Sequence, residues 1–312
     1  MKNVVVTGMG VVSPIGDNIE DFWCNLKSGF NGISQISQFD TSKFDVKIAG
    51  ESKIDLTNFF DRKDLNKLDR FTAFAIIASD QAILQSELNL DKINKNRVGV
   101  IVGSGIGGIS TFEKQHSKLL KNPRFVSPFF IPSMISDIAP GHISIKYGFK
   151  GINYSVTSAC ATSNHAFGDA YKMIQSGLAD VIIAGGTEAA ITEMSIAGFS
   201  NMKALTKNND VNSASRPFDK NRDGFVMGEG AGILVLESLD HAKKRNAKIL
   251  AEIIGYGASA DAYHITSPDP NGSGAIMAME TAIQDSGISK KDIRYINAHG
   301  TSTHYNDKIE TK

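Results

Sequence analysis

Short runs of valine and isoleucine, free of polar interruption, alternate along this chain with segments whose apolar residues recur at helical spacing. Runs of that kind predict strands buried on both faces, at residues 4–8, 97–103, 154–156, 181–186, 233–237, 249–256 and 293–298. The 3.6-residue period predicts helices at 21–27, 68–85, 139–146, 161–176, 239–245 and 274–286. Strands covered on both faces by helices make a layered α/β fold. With 312 residues the chain can bury one large core or two smaller ones, and no low-complexity linker divides it. There is a faint internal echo: a strand–helix–strand pattern ending in glycines or in Gly-Thr-Ser occurs near the start and again from Ile249.

Composition narrows the function classes. Lysine plus arginine and aspartate plus glutamate both total 33, which argues against bulk nucleic-acid binding. Two cysteines, Cys24 and Cys160, are too few for a disulfide framework or a zinc site. The N-terminus does not read as a signal peptide, and no apolar stretch is long enough to span a membrane. The expectation is a cytoplasmic protein with reduced thiols.

Three motifs imitate cofactor sites. Gly103-Ser104-Gly105-Ile106-Gly107-Gly108 satisfies the dinucleotide-loop spacing after a strand, but no long helix is evident from Gly108, so a tight turn with close backbone packing is the preferred reading. Gly8-Met9-Gly10 has a similar look, with Ser13 where the third glycine belongs. Asp219-Lys220-Asn221-Arg222-Asp223-Gly224 opens like a calcium loop, yet the twelfth position is Gly230 instead of a glutamate, and calcium is rejected.

Two segments carry the chemistry. Thr157-Ser158-Ala159-Cys160-Ala161-Thr162-Ser163 follows a predicted strand and enters a predicted helix. A thiol at a helix N-terminus is favoured as thiolate by unpaired N–H groups and the helix dipole, and the flanking alanines leave room for a carbonyl. An inert buried thiol is the competing reading of Cys160. On that helix Ala166, Phe167, Ala170, Met173 and Ile174 share one face, with Gly177 as its stop. The second segment, Asn297-Ala298-His299-Gly300-Thr301-Ser302-Thr303, ends a predicted strand, where a histidine can polarise a carbonyl; a structural histidine is the alternative. His165 reads as packing or surface, and His264 has no metal-ligand spacing.

Four blocks, in order, resemble the elongating β-ketoacyl-[acyl carrier protein] synthases: Val5–Gly16, the cysteine block through Gly185-Gly186-Thr187-Glu188, Arg216-Pro217-Phe218-Asp219 with Asp223–Gly230, and His299–Thr303. The pattern is closer to the synthase II branch of bacterial fatty acid elongation than to synthase I. The resemblance covers the whole chain. It implies a thiolase-like layered α-β-α-β-α fold of two similar halves, here residues 1–248 with the cysteine and 249–312 as the start of the second. It implies a decarboxylating Claisen condensation, with Cys160 taking the acyl chain as a thioester and His299 stabilising the malonyl-derived enolate. No metal or redox cofactor is implied.

Thr301 and Thr303 match positions lining the phosphopantetheine arm, and Lys63, Lys67, Arg124 and Lys203 match positions that dock the acidic acyl carrier protein. Ordinary solvated charge is the alternative for each of the four. A homodimer is the family's usual state, and neither nucleic acid nor membrane is an implied partner. Two departures matter. His304 stands where the family has proline. Family members also continue past the position of Lys312 through a lysine block, a second histidine and Gly-Phe-Gly-Gly. The second half is therefore expected to be incomplete and condensation by such a chain weak. The alternative is an inactive remnant that only binds carrier protein or a synthase subunit.

Overall fold

The computed structural model describes residues 2–312. From the N-terminus run β1 (Val4–Val12), α1 (Ile19–Ser28), the two-residue strands β2 (Ser34–Gln35) and β3 (Ile48–Ala49), α2 (Arg62–Leu65), α3 (Arg70–Ser86), β4 (Val98–Gly103) and α4 (Ile109–Leu119). Next come α5 (Phe130–Met134), α6 (Ile138–Tyr147), β5 (Asn153–Tyr154), α7 (Thr162–Gln175), β6 (Val181–Glu188) and α8 (Glu193–Asn201). The chain closes with β7 (Gly230–Ser238), α9 (Leu239–Lys244), β8 (Ala251–Ile253), α10 (Ser273–Ser286) and α11 (His304–Thr311). Two compact units result, one of residues 2–32, Glu51–Thr192 and Gly228–Ile253, the other of Ile33–Gly50, Glu193–Met227 and Ile254–Lys312.

The first unit holds a six-stranded sheet in the order β5-β4-β6-β7-β1-β8. β4 is parallel to β5 and β6, whereas β7 runs antiparallel to both β6 and β1. All six residues of β4 are buried, as the uninterrupted apolar run predicts. Alternate residues feed opposite faces. Val98, Val100, Val102, Val181 and Ile183 join Phe71, Phe74 and Ile77 of α3 and Ile143 of α6 in one core. Ile101 and Ile182, of the opposite parity, are fully buried as well, and α7 packs against β4 and β6 with Ala166, Ala170 and Ile174 buried. Phe167 and Met173, expected on that face, are half-buried at its margin. Gly177 ends the helix at φ +80°.

Glycines set how closely α3 lies on β1. A Cβ at Gly8 would stand 2.0 Å from the Ala82 carbonyl oxygen, and one at Gly10 would stand 1.9 Å from that of Ala78. Gly8-Met9-Gly10 is thus strand throughout, and its glycines admit a helix backbone. In the second unit the same device recurs. A Cβ at Gly255 would stand 2.4 Å from the Ala282 carbonyl oxygen and one at Gly257 2.1 Å from that of Ala278, both on α10. Ser86 and Ser286 close the respective helices alike, each donating its hydroxyl over 2.7 Å to the carbonyl of Ile83 or Ile283. The internal echo from Ile249 is therefore a repeated packing seam.

Three expectations need correction. Residues 293–298 form no strand: Ile293, Tyr295 and Ile296 are 37%, 79% and 69% exposed, and no neighbouring ladder receives them among the described residues. An apolar run becomes a strand only where another strand accepts its hydrogen bonds. Of 249–256 only Ala251–Ile253 pairs, with Val4–Val6. A helix does start after Gly108, namely α4. Like α11, it is polar on average and carries few apolar residues to announce it.

Candidate active site

The turn that carries Cys160 is built in the first unit. After β5 the chain stays irregular to Ser158, then makes a single 3₁₀ turn, Ala159–Ala161, that runs into α7. Ala159 adopts φ +50°, a left-handed conformation. The Ala161 amide donates to the Ser158 carbonyl over 3.2 Å, and the Ser158 amide donates to Thr162 Oγ1 over 2.9 Å. Ser158 Oγ and His165 Nδ1 are hydrogen-bonded at 2.6 Å, so His165, expected in packing or at the surface, braces the turn from one helical turn further on. The outcome is an exposed Cys160 in place of a buried thiol.

Glycines again decide the approach. A Cβ at Gly103, ending β4, would meet Thr162 Cγ2 at 2.3 Å, and one at Gly186 in β6 would meet Ser163 Cβ at 2.7 Å. The start of α7 therefore sits down on the strand ends. Backbone N–H groups at such a start favour a thiolate and the oxyanion of an attacked carbonyl.

The glycine loop after β4 holds an internal anion. Glu188, in the last position of β6, accepts from Ser104 Oγ at 2.9 Å, the Gly105 amide at 2.8 Å and the Ile106 amide at 3.1 Å. Consecutive amides pointing into one concavity are what a dinucleotide loop offers a pyrophosphate. Here a side chain of the protein occupies it, which supplies the physical reason for the tight-turn reading. Burial pushes the Glu188 carboxyl above the usual range, while these hydrogen bonds pull it back.

The histidine loop is built in the second unit and held by charge. The His299 and Gly300 amides donate to the two carboxylate oxygens of Glu310, at 2.5 and 2.8 Å. Buried Asp307 accepts from the Ser302 amide at 3.2 Å and the Phe218 amide at 2.7 Å, and pairs with Arg222 Nε at 3.3 Å. Arg222 also donates to the carbonyls of Thr303 at 3.0 Å and His304 at 2.7 Å. Gly300 and Ser302 take φ +51° and +63°. His299 is exposed, Thr301 and Thr303 are half-buried, and their hydroxyls are 2.8 Å apart. His304 is the first residue of α11, a position that suits proline without requiring it, so the departure leaves the helix start in place.

Sequence reasoning missed Arg222, Asp307 and Glu310. The i, i+3 spacing of the two carboxylates on a segment just past the histidine block was the available signal.

Of the basic residues, Lys63 is exposed on α2 and Arg124 is exposed in a 3₁₀ turn, Pro123–Phe125. Lys67 is half-buried with its ammonium 5.4 Å from the centre of the Phe129 ring. Lys203, in the second unit, is exposed at φ +57°. Among the described residues no helix is long and apolar enough to cross a membrane.

Comparison with known proteins agrees with the four blocks. Residues 1–242 match the β-ketoacyl synthase N-terminal domain, and residues 250–312 match the β-ketoacyl synthase C-terminal domain. The chain is 50% identical over 313 aligned residues to 3-oxoacyl-[acyl-carrier-protein] synthase 2 of Staphylococcus aureus strain COL, covering 100% of this chain and 76% of that protein. It superposes with a TM-score of 0.90 on a β-ketoacyl synthase of Burkholderia phymatum, at 32% identity over 100% of this chain and 77% of that one. A type II PKS ketosynthase structure, solved with its acyl-carrier protein and bound to the hexaketide, gives 0.91 at 31% identity, covering 99% and 76%. These likenesses establish the thiolase-like ketosynthase fold. On them, and on the geometry of its two loops, the chain belongs to the β-ketoacyl synthase family.

Proposed function

We propose that the protein is a 3-oxoacyl-[acyl-carrier-protein] synthase of the synthase II type, which extends acyl chains by decarboxylating condensation with a malonyl thioester. The observation that carries this reading is the exposed Cys160 on its braced turn ahead of α7. In the first half-reaction the Cys160 thiolate attacks the acyl thioester, its C–S bond forms as the carrier's C–S bond breaks, and the carrier sulfur leaves as a thiolate that takes up the proton Cys160 had released. In the second, the malonyl C–C bond breaks, carbon dioxide departs, and the electron pair remains as an enolate hydrogen-bonded by His299. The enolate carbon attacks the Cys160 thioester carbonyl, and the Cys160–acyl bond breaks as the new C–C bond forms.

Thr301 and Thr303 are assigned to the pantetheine arm, since each hydroxyl keeps hydrogen-bonding capacity beyond their mutual bond. Lys63, Lys67, Arg124 and Lys203 are assigned to docking the acidic carrier. The reading takes 1–248 as the half with the nucleophile, 249–312 as belonging to the half with His299, and the cytoplasm as its place of action. The exposed thiol on a built turn favours it over a remnant that only binds carrier protein.

The test uses the protein as it occurs in its cell, with acyl- and malonyl-loaded carrier. The expected results are an acyl adduct on Cys160 and a product longer by two carbons. Cys160→Ala should abolish both, and His299→Ala should keep the adduct but lose the longer product. An adduct on another residue, or condensation surviving Cys160→Ala, would overturn the assignment.

A further inference from the structure

Glu188 lies outside the chemistry just described, yet it sits at the base of the nucleophile turn. Its carboxylate gathers Ser104 Oγ and the amides of Gly105 and Ile106, and Ser104 Oγ in turn accepts from the Gly107 amide at 2.9 Å. The loop so folded presents the Ser104 carbonyl, which accepts from Thr157 Oγ1 at 3.1 Å. It also places Gly105 where a Cβ would be 2.9 Å from Glu188 Oε2 and 3.5 Å from the Ala159 carbonyl oxygen. One carboxylate thus fixes a loop, and that loop is hydrogen-bonded to the nucleophile turn at Thr157, on the N-terminal side of Cys160, and passes close beside Ala159.

We propose that Glu188 is a positioning residue for Cys160, acting through the Ser104–Gly107 loop to hold the Thr157–Ala161 turn in the geometry that the acyl-transfer step needs. The proposal rests on Cys160 being the nucleophile. Three converging donors suit an acceptor-only carboxylate, whereas an amide that keeps its oxygen on the Gly105 and Ile106 amides turns its N–H₂ to Ser104 Oγ, which must then give up its donor role. Ser104 Oγ, which already accepts from the Gly107 amide, then turns its proton out of the site, the charge that strengthens both backbone bonds is lost, and the loop and the turn shift together. Displacements of about 1 Å at a reacting group cost up to about 100-fold in rate.

The experiment measures the single-turnover rate of Cys160 acylation by acyl carrier protein thioester, with the adduct mapped by peptide mass. It compares the unsubstituted protein, Glu188→Gln, Thr157→Val and the double variant. Glu188→Gln is expected to slow acylation by roughly 10- to 100-fold with little change in the carrier concentration giving half-maximal rate. Thr157→Val should slow it as well, and the double variant should be little slower than Glu188→Gln alone, because both act through one link.

A general loss of stability would instead lower the active fraction, leave the rate per active thiol unchanged, and let the two effects multiply. Acylation within twofold of normal in Glu188→Gln, or fully multiplicative effects, overturns the proposal. Should Glu188→Gln not fold, Ser104→Ala removes one arm of the carboxylate's cage and is expected to slow acylation in the same direction; an unchanged rate there overturns the proposal too. An adduct elsewhere than Cys160 in the unsubstituted protein overturns the nucleophile reading and this one together. An adduct on Cys160 insensitive to Glu188 overturns this one alone.

Discussion

The protein uses one packing device twice, with different consequences. Gly8 and Gly10 lie under Ala82 and Ala78 of α3, and Gly255 and Gly257 lie under Ala282 and Ala278 of α10. Around the first seam α3 buries twelve of its residues, and β1 is flanked by β7 and β8. Around the second, α10 buries only Gly274, and Ile276, Met277 and Met279 are 48%, 56% and 50% exposed. A glycine-bearing segment and a helix with small residues opposite it, supplied within a few dozen residues, suffice to form the seam. A buried layer needs more: strands on both sides and a helix whose every face meets a partner.

The largest effect that separates the seams is expected from Gly10→Val. The new side chain collides with the α3 backbone in a region without room to yield, and more than about 3 kcal/mol should be lost. Urea unfolding followed by circular dichroism measures it, and a loss under about 1 kcal/mol would break the comparison.

Next comes acid. Glu237 on β7 accepts from Thr7 of β1, beside the first seam, and from His241 at 2.6 Å and Arg245 at 2.5 Å. Burial alone would raise its carboxyl, but these bonds hold it down, from 4.5 to about 2. A depressed carboxyl contributes stability above its unfolded value and loses it as the pH falls toward its folded value. About 3 kcal/mol should therefore vanish between pH 5 and pH 2, and Glu237→Gln should flatten that slope. Ile254 precedes Gly255 as Thr7 precedes Gly8, and it brings no hydroxyl to such a carboxylate, so hydrogen exchange in 273–286 should respond less than in 70–86.

Smaller again is Asp307→Asn, which acts on the second unit through charge. It leaves Arg222 without its buried partner, and about 2 kcal/mol of local stability should be lost, read as faster exchange of the Ser302 and Phe218 amides. Exchange unchanged at those amides would remove the ionic account of the histidine loop. The mildest test is Ser286→Ala beside Ser86→Ala. Ser86→Ala loses one buried hydroxyl bond, with about 1 kcal/mol expected, whereas Ser286→Ala loses two, the second accepted from the Ile288 amide at 3.3 Å, but at a half-buried site and so with less expected.

These contrasts explain what was legible in the sequence. The buried strands 98–103 and 181–188 announced themselves because both faces are apolar. The segments around Cys160 and His299 stand out as candidates for another reason, reactive residue types among small ones. What escaped was long-range. Glu188 reads as the tail of a strand until Gly105 and Ile106, 83 and 82 positions away, are seen to donate to it. Arg222 reads as part of a failed calcium loop until it reaches Thr303, 81 positions on. Residues 293–298 misled for the converse reason, an apolar pattern without a neighbour to pair it.

Ala159 holds φ +50° immediately before Cys160. That backbone region costs an ordinary side chain about 1–2 kcal/mol, costs glycine nothing and asparagine little, and bars β-branched residues. Variation at 159 is thus filtered by geometry before chemistry has any say. Glycine and asparagine are admissible replacements, while valine, isoleucine and threonine are not, however well they would suit an acyl chain. On the role proposed for Cys160, the position next to its sulfur is closed to the substitutions by which an acyl pocket is most simply reshaped, and adaptation to new chain lengths has to be written elsewhere in the fold.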